Sequence, residues 1–352
     1  MRRPAAQLLL FLFLAAHAGA ETLYGFFPSP PLVTVESVLA TYKAIAEHGQ
    51  AVLVARNVPW KDFAAGEPAR SAELDELEGI VQLCRAHTLE PIFIVDPLNG
   101  LDRRRFMGLP AGWEPSFANP DVRGAMTRYA LRIARQYKPR FLALASEINT
   151  YQDTHPEDFP AFLALYREIY AQVKAVSAKT QVFVTFQWDE LNNLIPGVDG
   201  GAAPYETRWD QVEQFEPMLD VWAISTYPFI AYRSAREIPA DYYSPLAART
   251  RKPLAVAEGG YTTRNIGLLR GTPQDQVLFL RALHGQLGGR LLFWIHTVFA
   301  DFSLESYAPL LKQQGIEADI PTLGWFAHVG LVDAEGRPKP GLTVWDSFRK
   351  GR

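Results

Sequence analysis

Eight short apolar runs alternate with longer amphipathic segments along this chain. The runs are LYGFF (23–27), AVLVAR (51–56), PIFIVD (91–96), FLALASE (141–147), QVFVTFQW (181–188), VWAISTY (221–227), PLAVAE (253–258) and LLFWIH (291–296). Most are continuously apolar, which is typical of parallel strands buried on both faces. Helical patterns such as VTVESVLATYKAIAEHG lie between them. Repeated βα units of this number predict an α/β fold, a single-domain (β/α)8 TIM barrel.

A doubly wound open sheet is the competing architecture for alternating strands and helices. Such a sheet usually has a glycine-rich turn after its first strand. Here the first run is followed by PSPP (28–31), and proline has no N–H with which to bind a phosphate. The sequence contains neither GxGxxG nor a P-loop, so the barrel is the better prediction.

The first 20 residues have the pattern of a secretory signal peptide. Arg2 and Arg3 precede an apolar stretch, and small residues at 18–20 form a cleavage site. This pattern predicts a secreted or periplasmic protein whose mature barrel domain covers residues 21–352. No later segment is long and apolar enough to span a membrane. The net charge of −3 and the lack of a basic stripe argue against nucleic-acid binding.

Cys84 is the only cysteine. The chain therefore forms no internal disulfide, and its stability depends on its core. Because Cys84 lies in the helical apolar pattern GIVQLCRAH, we expect a buried small side chain and not a nucleophile.

Polar residues stand at the predicted carboxyl ends of the strands, where the active sites of (β/α)8 barrels lie. Successive strands end in Arg56 with Asn57, Asp96, Ser146 with Glu147, Gln187 to Glu190, Ser225 with Tyr227, and Glu258; the eighth run carries Trp294 and His296. This set is rich in carboxylates and aromatic rings and poor in metal ligands. It predicts a carbohydrate site without a metal or cofactor.

Glu147 and Glu258 are the predicted catalytic pair. Each lies where an apolar run stops, on the fourth and seventh strands, so both can face one central cleft. Glycoside hydrolysis uses two such carboxyl groups, one to protonate the leaving oxygen and one to attack or to activate water. We expect Arg56 to keep one glutamate ionised. The predicted substrate contacts are Arg56, Asp96, Ser146, Trp188, Tyr227, Trp294 and His296.

These motifs resemble the clan A superfamily of retaining glycosidases, and most closely the arabinogalactan endo-β-1,4-galactanases. The matching segments are ALASEI (143–148), AVAEGGY (255–261), DVWAISTYPF (220–229) and GLVDAEGRPKPGLTVWDSF (330–348). The resemblance implies that Glu147 is the acid/base and Glu258 the nucleophile. It also implies site roles for Tyr227, Arg56 and Trp294.

Two positions depart from the superfamily pattern. Ser146 stands where the resemblance leads one to expect the asparagine that binds the sugar 2-hydroxyl, and Asp96 stands in place of a histidine. These departures bear on the substrate more than on the mechanism.

Two alternatives follow from the same residues. A carbohydrate-binding barrel without catalytic activity would use both glutamates structurally. A metal-dependent hydrolase or deacetylase would draw ligands from Asp96, Asp189, Glu190, His296 and Asp301, although the sequence has no HxH or HExxH motif. The number of subunits is not indicated by the sequence.

Overall fold

The computed structural model describes residues 21–195 and 203–351. Residues 1–20, where the sequence predicts a signal peptide, lie outside this range. Each of the eight apolar runs forms a strand, labelled β1 to β8 in chain order. Their bounds are Leu23–Phe26, Ala51–Asn57, Glu90–Asp96, Phe141–Ala143, the two segments Gln181–Phe183 and Thr185–Gln187 of β5, Trp222–Thr226, Leu254–Gly259 and Leu291–His296.

The strands form a ring in which every neighbouring pair is parallel. Strand β1 pairs with both β2 and β8, and the other strands follow in chain order. The first segment of β5 pairs with β4, and its second segment pairs with β6. Strand β5 therefore closes the ring, and the predicted single-domain (β/α)8 barrel is confirmed.

Helices cover the outside of the ring. Within the described residues the α-helices α1 to α13 are Val35–His48, Trp60–Phe63, Ala72–Ala86, Pro120–Tyr137, Ile148–Thr154, Phe159–Val176, Trp188–Leu191, Asp210–Glu213, Ser244–Arg249, Pro273–Leu287, Leu304–Gln313, Ile320–Gly324 and Pro340–Arg349. Thr34, Ser71 and Thr272 cap α1, α3 and α10 by accepting a hydrogen bond from a backbone N–H of the first turn, which satisfies groups that a helix start leaves unpaired. No helix in these ranges is both long and apolar enough to cross a bilayer.

Large side chains fill the interior of the ring. Phe293 of β8 contacts Phe141 of β4 and Phe183 of β5, with ring centroids 4.9 Å and 6.0 Å apart. The barrel is thus a packed core and not a pore. Cys84 is fully buried in α3 and unpaired.

Two excursions leave this frame at the carboxyl ends of the strands. After β3 the chain forms an antiparallel hairpin of Leu98–Asn99 and Asp102–Phe106. After β8 it forms α11, a 3-10 turn (Glu317–Asp319) and α12 before it returns through α13. We call these the β3 hairpin and the β8 excursion.

Candidate active site

Glu147 and Glu258 lie at the same mouth of the barrel and are connected through β6. Glu258 is in register with Ser225 on the adjacent strand, and the Ser225 hydroxyl donates to Oε1 of Glu147. Both carboxylates border a cavity of about 300 Å³. The structure therefore brings together the two glutamates that the sequence singles out.

The backbone at Glu147 has an unusual conformation. Strand β4 ends at Ala143, and Glu147 immediately precedes α5 with a φ of 49° and a ψ of 44°. This left-handed conformation is costly for a residue with a side chain and is concentrated at functional sites. The Glu147 N–H donates to Oγ1 of Thr185, 2.8 Å away, which holds the turn in place.

Arg103 is the centre of the site. It comes from the β3 hairpin, and only 9% of its side chain is exposed. Its Nε donates to Oε2 of Glu147 at 3.0 Å, and the same guanidinium pairs with Asp96 and lies 3.8 Å from Oε1 of Glu258. Burial lowers the pKa of Arg103, but the charges of Asp96, Glu147 and Glu258 outweigh it and raise that pKa, so the guanidinium stays charged.

Two hydroxyl groups donate hydrogen bonds to the Glu258 carboxylate. Oε1 accepts from the Ser146 hydroxyl at 3.0 Å, and Oε2 accepts from the Tyr227 hydroxyl at 3.0 Å. Burial and then the charge of Glu147 raise the pKa of Glu258 to about 7, although Arg103, Tyr227 and Ser146 act in the opposite direction. A carboxyl group with this pKa is about half protonated at pH 7.

Ser146 has a different role from the sugar contact that its position suggests. Its hydroxyl is buried and is shared between Glu258 and Oγ1 of Thr185, 3.1 Å away. The side chain is thus a support for the Glu258 carboxylate.

Asp96 borders the cavity but is committed to protein groups. Oδ1 accepts from the N–H of Leu98 at 3.1 Å, and Oδ2 pairs with Arg103. Burial raises the pKa of Asp96, while Arg103 lowers it. The residue therefore anchors Arg103 at the start of the β3 hairpin.

Arg56 does not have the predicted role. It borders the cavity, but its guanidinium turns outward to α3, where Nε and Nη2 each lie 2.7 Å from the Glu73 carboxylate and Nη1 lies 2.9 Å from Glu76. Two acidic residues of α3 thus compete successfully for this cation. The expectation that Arg56 keeps one of the two glutamates ionised is wrong, because Arg103 is the arginine beside Glu147 and Glu258.

Trp188, Trp294 and His296 do not line this cavity, and all three side chains are fully buried. The Trp188 ring packs on Trp209 and Tyr242 with centroids 5.9 Å and 6.1 Å away. Trp294 and His296 do not reach the cavity because they alternate along β8 with Phe293, which points into the barrel interior.

The two β8 residues, Trp294 and His296, contact protein groups on the outer side of the strand. Trp294 packs against Trp345 of α13 at 5.1 Å, and Nε2 of His296 lies 2.9 Å from the Val329 carbonyl oxygen. Burial lowers the pKa of His296 to about 4. Tyr227, by contrast, lines the cavity.

The residues considered as metal ligands are dispersed. Asp301 pairs with Lys339 at 2.6 Å, and Asp189 accepts hydrogen bonds from Tyr242 and the Tyr227 N–H. Across residues 21–195 and 203–351, no three His, Cys, Asp or Glu side chains are grouped so that they could hold a metal ion.

Sequence reasoning missed Arg103 and the apolar part of the cavity. The only available signal for Arg103 was the group of three arginines in DRRRF (102–106) after the third strand. The β8 excursion contributes Val298, Phe302, Tyr307, Leu311, Gln314, Ile316, Leu323 and Phe326. Phe326 packs edge-on against Tyr227 at 4.9 Å.

Comparison with solved structures finds the same architecture in enzymes that act on glycans. The chain is similar to the exo-β-1,4-mannosidase Op5Man5 from Opitutaceae bacterium strain TAV5, with 18% identity over 95% of this chain and 60% of that chain and a TM-score of 0.67. It therefore spans about three fifths of that enzyme. A GH5_18 variant from Streptomyces cattleya in complex with Manβ1-4GlcNAc gives 15% identity over 94% and 81% of the two chains and a TM-score of 0.66.

Fungal β-1,4-galactanases are also similar, with 14% identity over 93% of this chain and 99% of theirs and a TM-score of 0.57. No protein-family model and no curated protein matches the sequence. At these identities the likeness establishes the shared barrel fold.

Proposed function

We propose that the protein is a glycoside hydrolase that cleaves a β-linked glycan by a retaining mechanism, with Glu147 as acid/base and Glu258 as nucleophile. The observation that carries the proposal is the placement of both carboxylates in one cavity, joined by Arg103. Solved structures with the same fold include a mannosidase and galactanases, which supports a carbohydrate substrate. Fold alone does not determine function, so the argument depends on the site.

The two glutamates suit this chemistry because they can share one proton. Retention requires one protonated and one ionised carboxyl group at the start of the reaction. Burial and then the charge of Glu147 raise the pKa of Glu258 to about 7, and in an interacting pair such a proton belongs to the pair and not to one residue. Hydrogen bonds from Tyr227 and Ser146 stabilise Glu258 when it is the anion.

The test is turnover of purified protein on aryl β-glycosides, β-1,4-mannan and β-1,4-galactan, with the first product anomer followed by NMR. We expect Glu147→Gln and Glu258→Gln each to lower kcat/KM by roughly 10³-fold or more, the scale of a lost acid, base or nucleophile. If both variants keep the activity of the wild type, the proposal is contradicted.

Azide distinguishes the two roles. If Glu258 is the nucleophile, azide added to Glu258→Ala attacks in its place and yields the α-glycosyl azide. If Glu147 is the acid/base, azide added to Glu147→Ala attacks the glycosyl-enzyme and yields the β-glycosyl azide. The opposite pattern would reverse the assignment while keeping the mechanism.

A carbohydrate-binding barrel without catalysis is the second candidate. It is favoured by Ser146, whose hydroxyl is used for Glu258 and Thr185 where the resemblance expects an asparagine on the sugar. Binding of a glycan without turnover of any substrate in the panel would establish this candidate.

We further propose that the protein is exported and that its mature chain begins near Glu21. The charge, apolar stretch and small residues of 1–20 support this. The fold is anchored from Thr22, whose hydroxyl donates to the Leu291 carbonyl at 2.8 Å. N-terminal sequencing of protein recovered outside the cytoplasm tests this cleavage site.

A further inference from the structure

The cavity is covered on one side by segments that are connected to one another. The β3 hairpin and the β8 excursion approach from opposite edges of the sector formed by β3, β2, β1 and β8, which are neighbours in the ring. Both segments line the cavity that contains Glu147 and Glu258, the hairpin through Leu101 and the excursion through Leu323. The contacts between the hairpin and the excursion therefore determine how far a glycan can extend towards β3 and β8.

Asp319 connects the two segments. It lies in the 3-10 turn of the β8 excursion, and its side chain is only 11% exposed. Oδ2 accepts from Nδ2 of Asn99 at 2.8 Å and from Nη2 of Arg105 at 2.9 Å. Asn99 is 2% exposed, so one of these contacts is an internal hydrogen bond and not a solvated surface pair. Charge-assisted hydrogen bonds of this kind are stronger than neutral ones.

The β8 excursion is also held to the loop after β1. The Ser303 N–H donates to the Pro31 carbonyl at 3.0 Å, and the Tyr307 hydroxyl donates to the Pro30 carbonyl at 2.8 Å. A third bond runs from the Val33 N–H to Oγ of Ser306 at 2.8 Å. The β8 excursion is thus attached both to the loop after β1 and to the β3 hairpin.

The inner surface of this cover is mainly apolar. Phe302, Leu311, Ile316 and Leu323 face the cavity from the excursion, and Leu101 does so from the hairpin. A further row of sugar units needs polar partners for its hydroxyl groups, because an unpaired buried hydroxyl costs free energy. The apolar surface formed by the hairpin and the excursion therefore offers no binding place for further sugar units, and the cleft ends there.

We propose that the enzyme acts on chain ends: the terminal unit of a β-linked glycan enters the closed side of the cavity, and the rest of the chain leaves on the other side. This inference rests on the proposed glycosidase function and specifies its mode of action. The Asp319 connection is the element that excludes internal linkages.

The experiment uses β-1,4-mannan and β-1,4-galactan together with their oligosaccharides labelled at the reducing end. We expect the wild-type protein to release single sugar units from the first time points, while the average length of the polymer stays nearly constant. We also expect Glu258→Gln to bind oligosaccharides with one protein per chain, whatever the chain length.

Two variants open the cover, and one serves as control. Arg105→Ala and Asp319→Asn weaken the connection between hairpin and excursion, so we expect a several-fold rise in the share of oligomeric products. Arg104→Ala removes a neighbouring arginine that pairs with Asp102 alone and should leave the product pattern unchanged. Arg105 is half exposed, so its removal leaves the fold intact even if Asp319→Asn does not fold.

The outcomes separate the inference from the function on which it rests. Rapid shortening of the polymer by wild-type protein, with products of mixed length, overturns the chain-end mode and leaves the glycosidase function standing. The same product pattern in Arg105→Ala and wild type removes the role of Asp319. If no glycan or aryl glycoside is hydrolysed or bound, the proposed function is overturned, and the inference with it.

Discussion

One arginine serves three carboxylates in this site. Arg103 contacts Asp96 and Glu147 and lies near Glu258, so three acidic groups share a single buried positive charge. Burying carboxylates without full compensation is costly, and the usual response is that one of them holds a proton. The raised pKa values of Asp96 and Glu258 express this imbalance, which is also what a two-carboxylate mechanism requires.

Replacing Arg103 tests this electrostatic role. We expect Arg103→Met to raise the pKa of Glu258, because Arg103 lowers that pKa in the wild type, and to shift the pH dependence of kcat/KM towards higher pH. Loss of the buried partner should also lower the free energy of unfolding at pH 8 by about 3–5 kcal/mol. The pH–rate profile and denaturant unfolding measure these two effects.

Two further variants distinguish positioning from simple destabilisation. Arg103→Lys keeps the charge and should restore most of the pH profile, although a lysine does not reproduce the forked contacts of the guanidinium. Arg104→Met, at a position 61% exposed, should change neither quantity. An unaltered pH profile in Arg103→Met would mean that Arg103 only maintains the fold.

At the scale of elements, the sequence predicts the strands better than the directions of their side chains. All eight apolar runs form strands, and Glu147 and Glu258 both reach the cavity. A continuously apolar run carries no alternation, however, so it does not show which residues face the ring interior. Phe293 points inward and Trp294 outward, a difference that the letters LLFWIH do not reveal.

Contacts made by inserted segments are the other feature that the sequence did not predict. Arg103 belongs to a hairpin that the regular βα pattern does not contain, and its contact with Glu147 spans 44 residues. Nothing local in DRRRF distinguishes Arg103 from its exposed neighbours Arg104 and Arg105. Likewise, the position of Arg56 at a strand end does not reveal its partners, because Glu73 and Glu76 lie in α3.

The outward position of Trp294 leads to a prediction for β8 and α13. The indole is fully buried against Trp345 and Phe348. We expect Trp294→Phe to lower the free energy of unfolding by about 1–3 kcal/mol through the space it leaves, with KM and kcat nearly unchanged. Denaturant unfolding and steady-state kinetics on one aryl glycoside measure both.

Tyr227→Phe is the contrasting variant. It keeps the ring that packs on Phe326 but removes the hydroxyl bonded to Glu258 and to Thr297. Its effect should therefore appear in the kinetics far more than in the stability. A large rise of KM in Trp294→Phe at full stability would restore Trp294 as a substrate contact.

For the whole molecule, the raised pKa of Glu258 makes stability depend on pH. The pKa of Glu258 is raised from its ordinary value of 4.5 to about 7, so the folded state binds this proton more tightly than the unfolded state does. The contribution of this group to stability is therefore fully present below pH 4.5 and is lost as the pH rises from 4.5 to 7. A difference of this size corresponds to about 3 kcal/mol.

Glu258→Gln should remove the loss of stability that accompanies ionisation of Glu258. Compared with wild type, the free energy of unfolding of the variant should be similar near pH 4.5 and higher by up to about 3 kcal/mol at pH 8. The amide can still accept from Ser146 through its oxygen and donate to the Tyr227 hydroxyl, which in turn can donate to Thr297, so the packing is preserved. Denaturant unfolding at several pH values measures the difference.

The matched control is Glu168→Gln on α6, an exposed residue paired with Arg123 at the surface. Because surface pairs contribute at most about 1 kcal/mol, this variant should follow the wild-type pH dependence closely. A Glu258→Gln variant that is less stable than wild type at every pH would mean that the Glu258 carboxylate supports the barrel. The expected result instead means that the barrel tolerates an unfavourable charge at its mouth, which is the charge that the proposed mechanism assigns to Glu258.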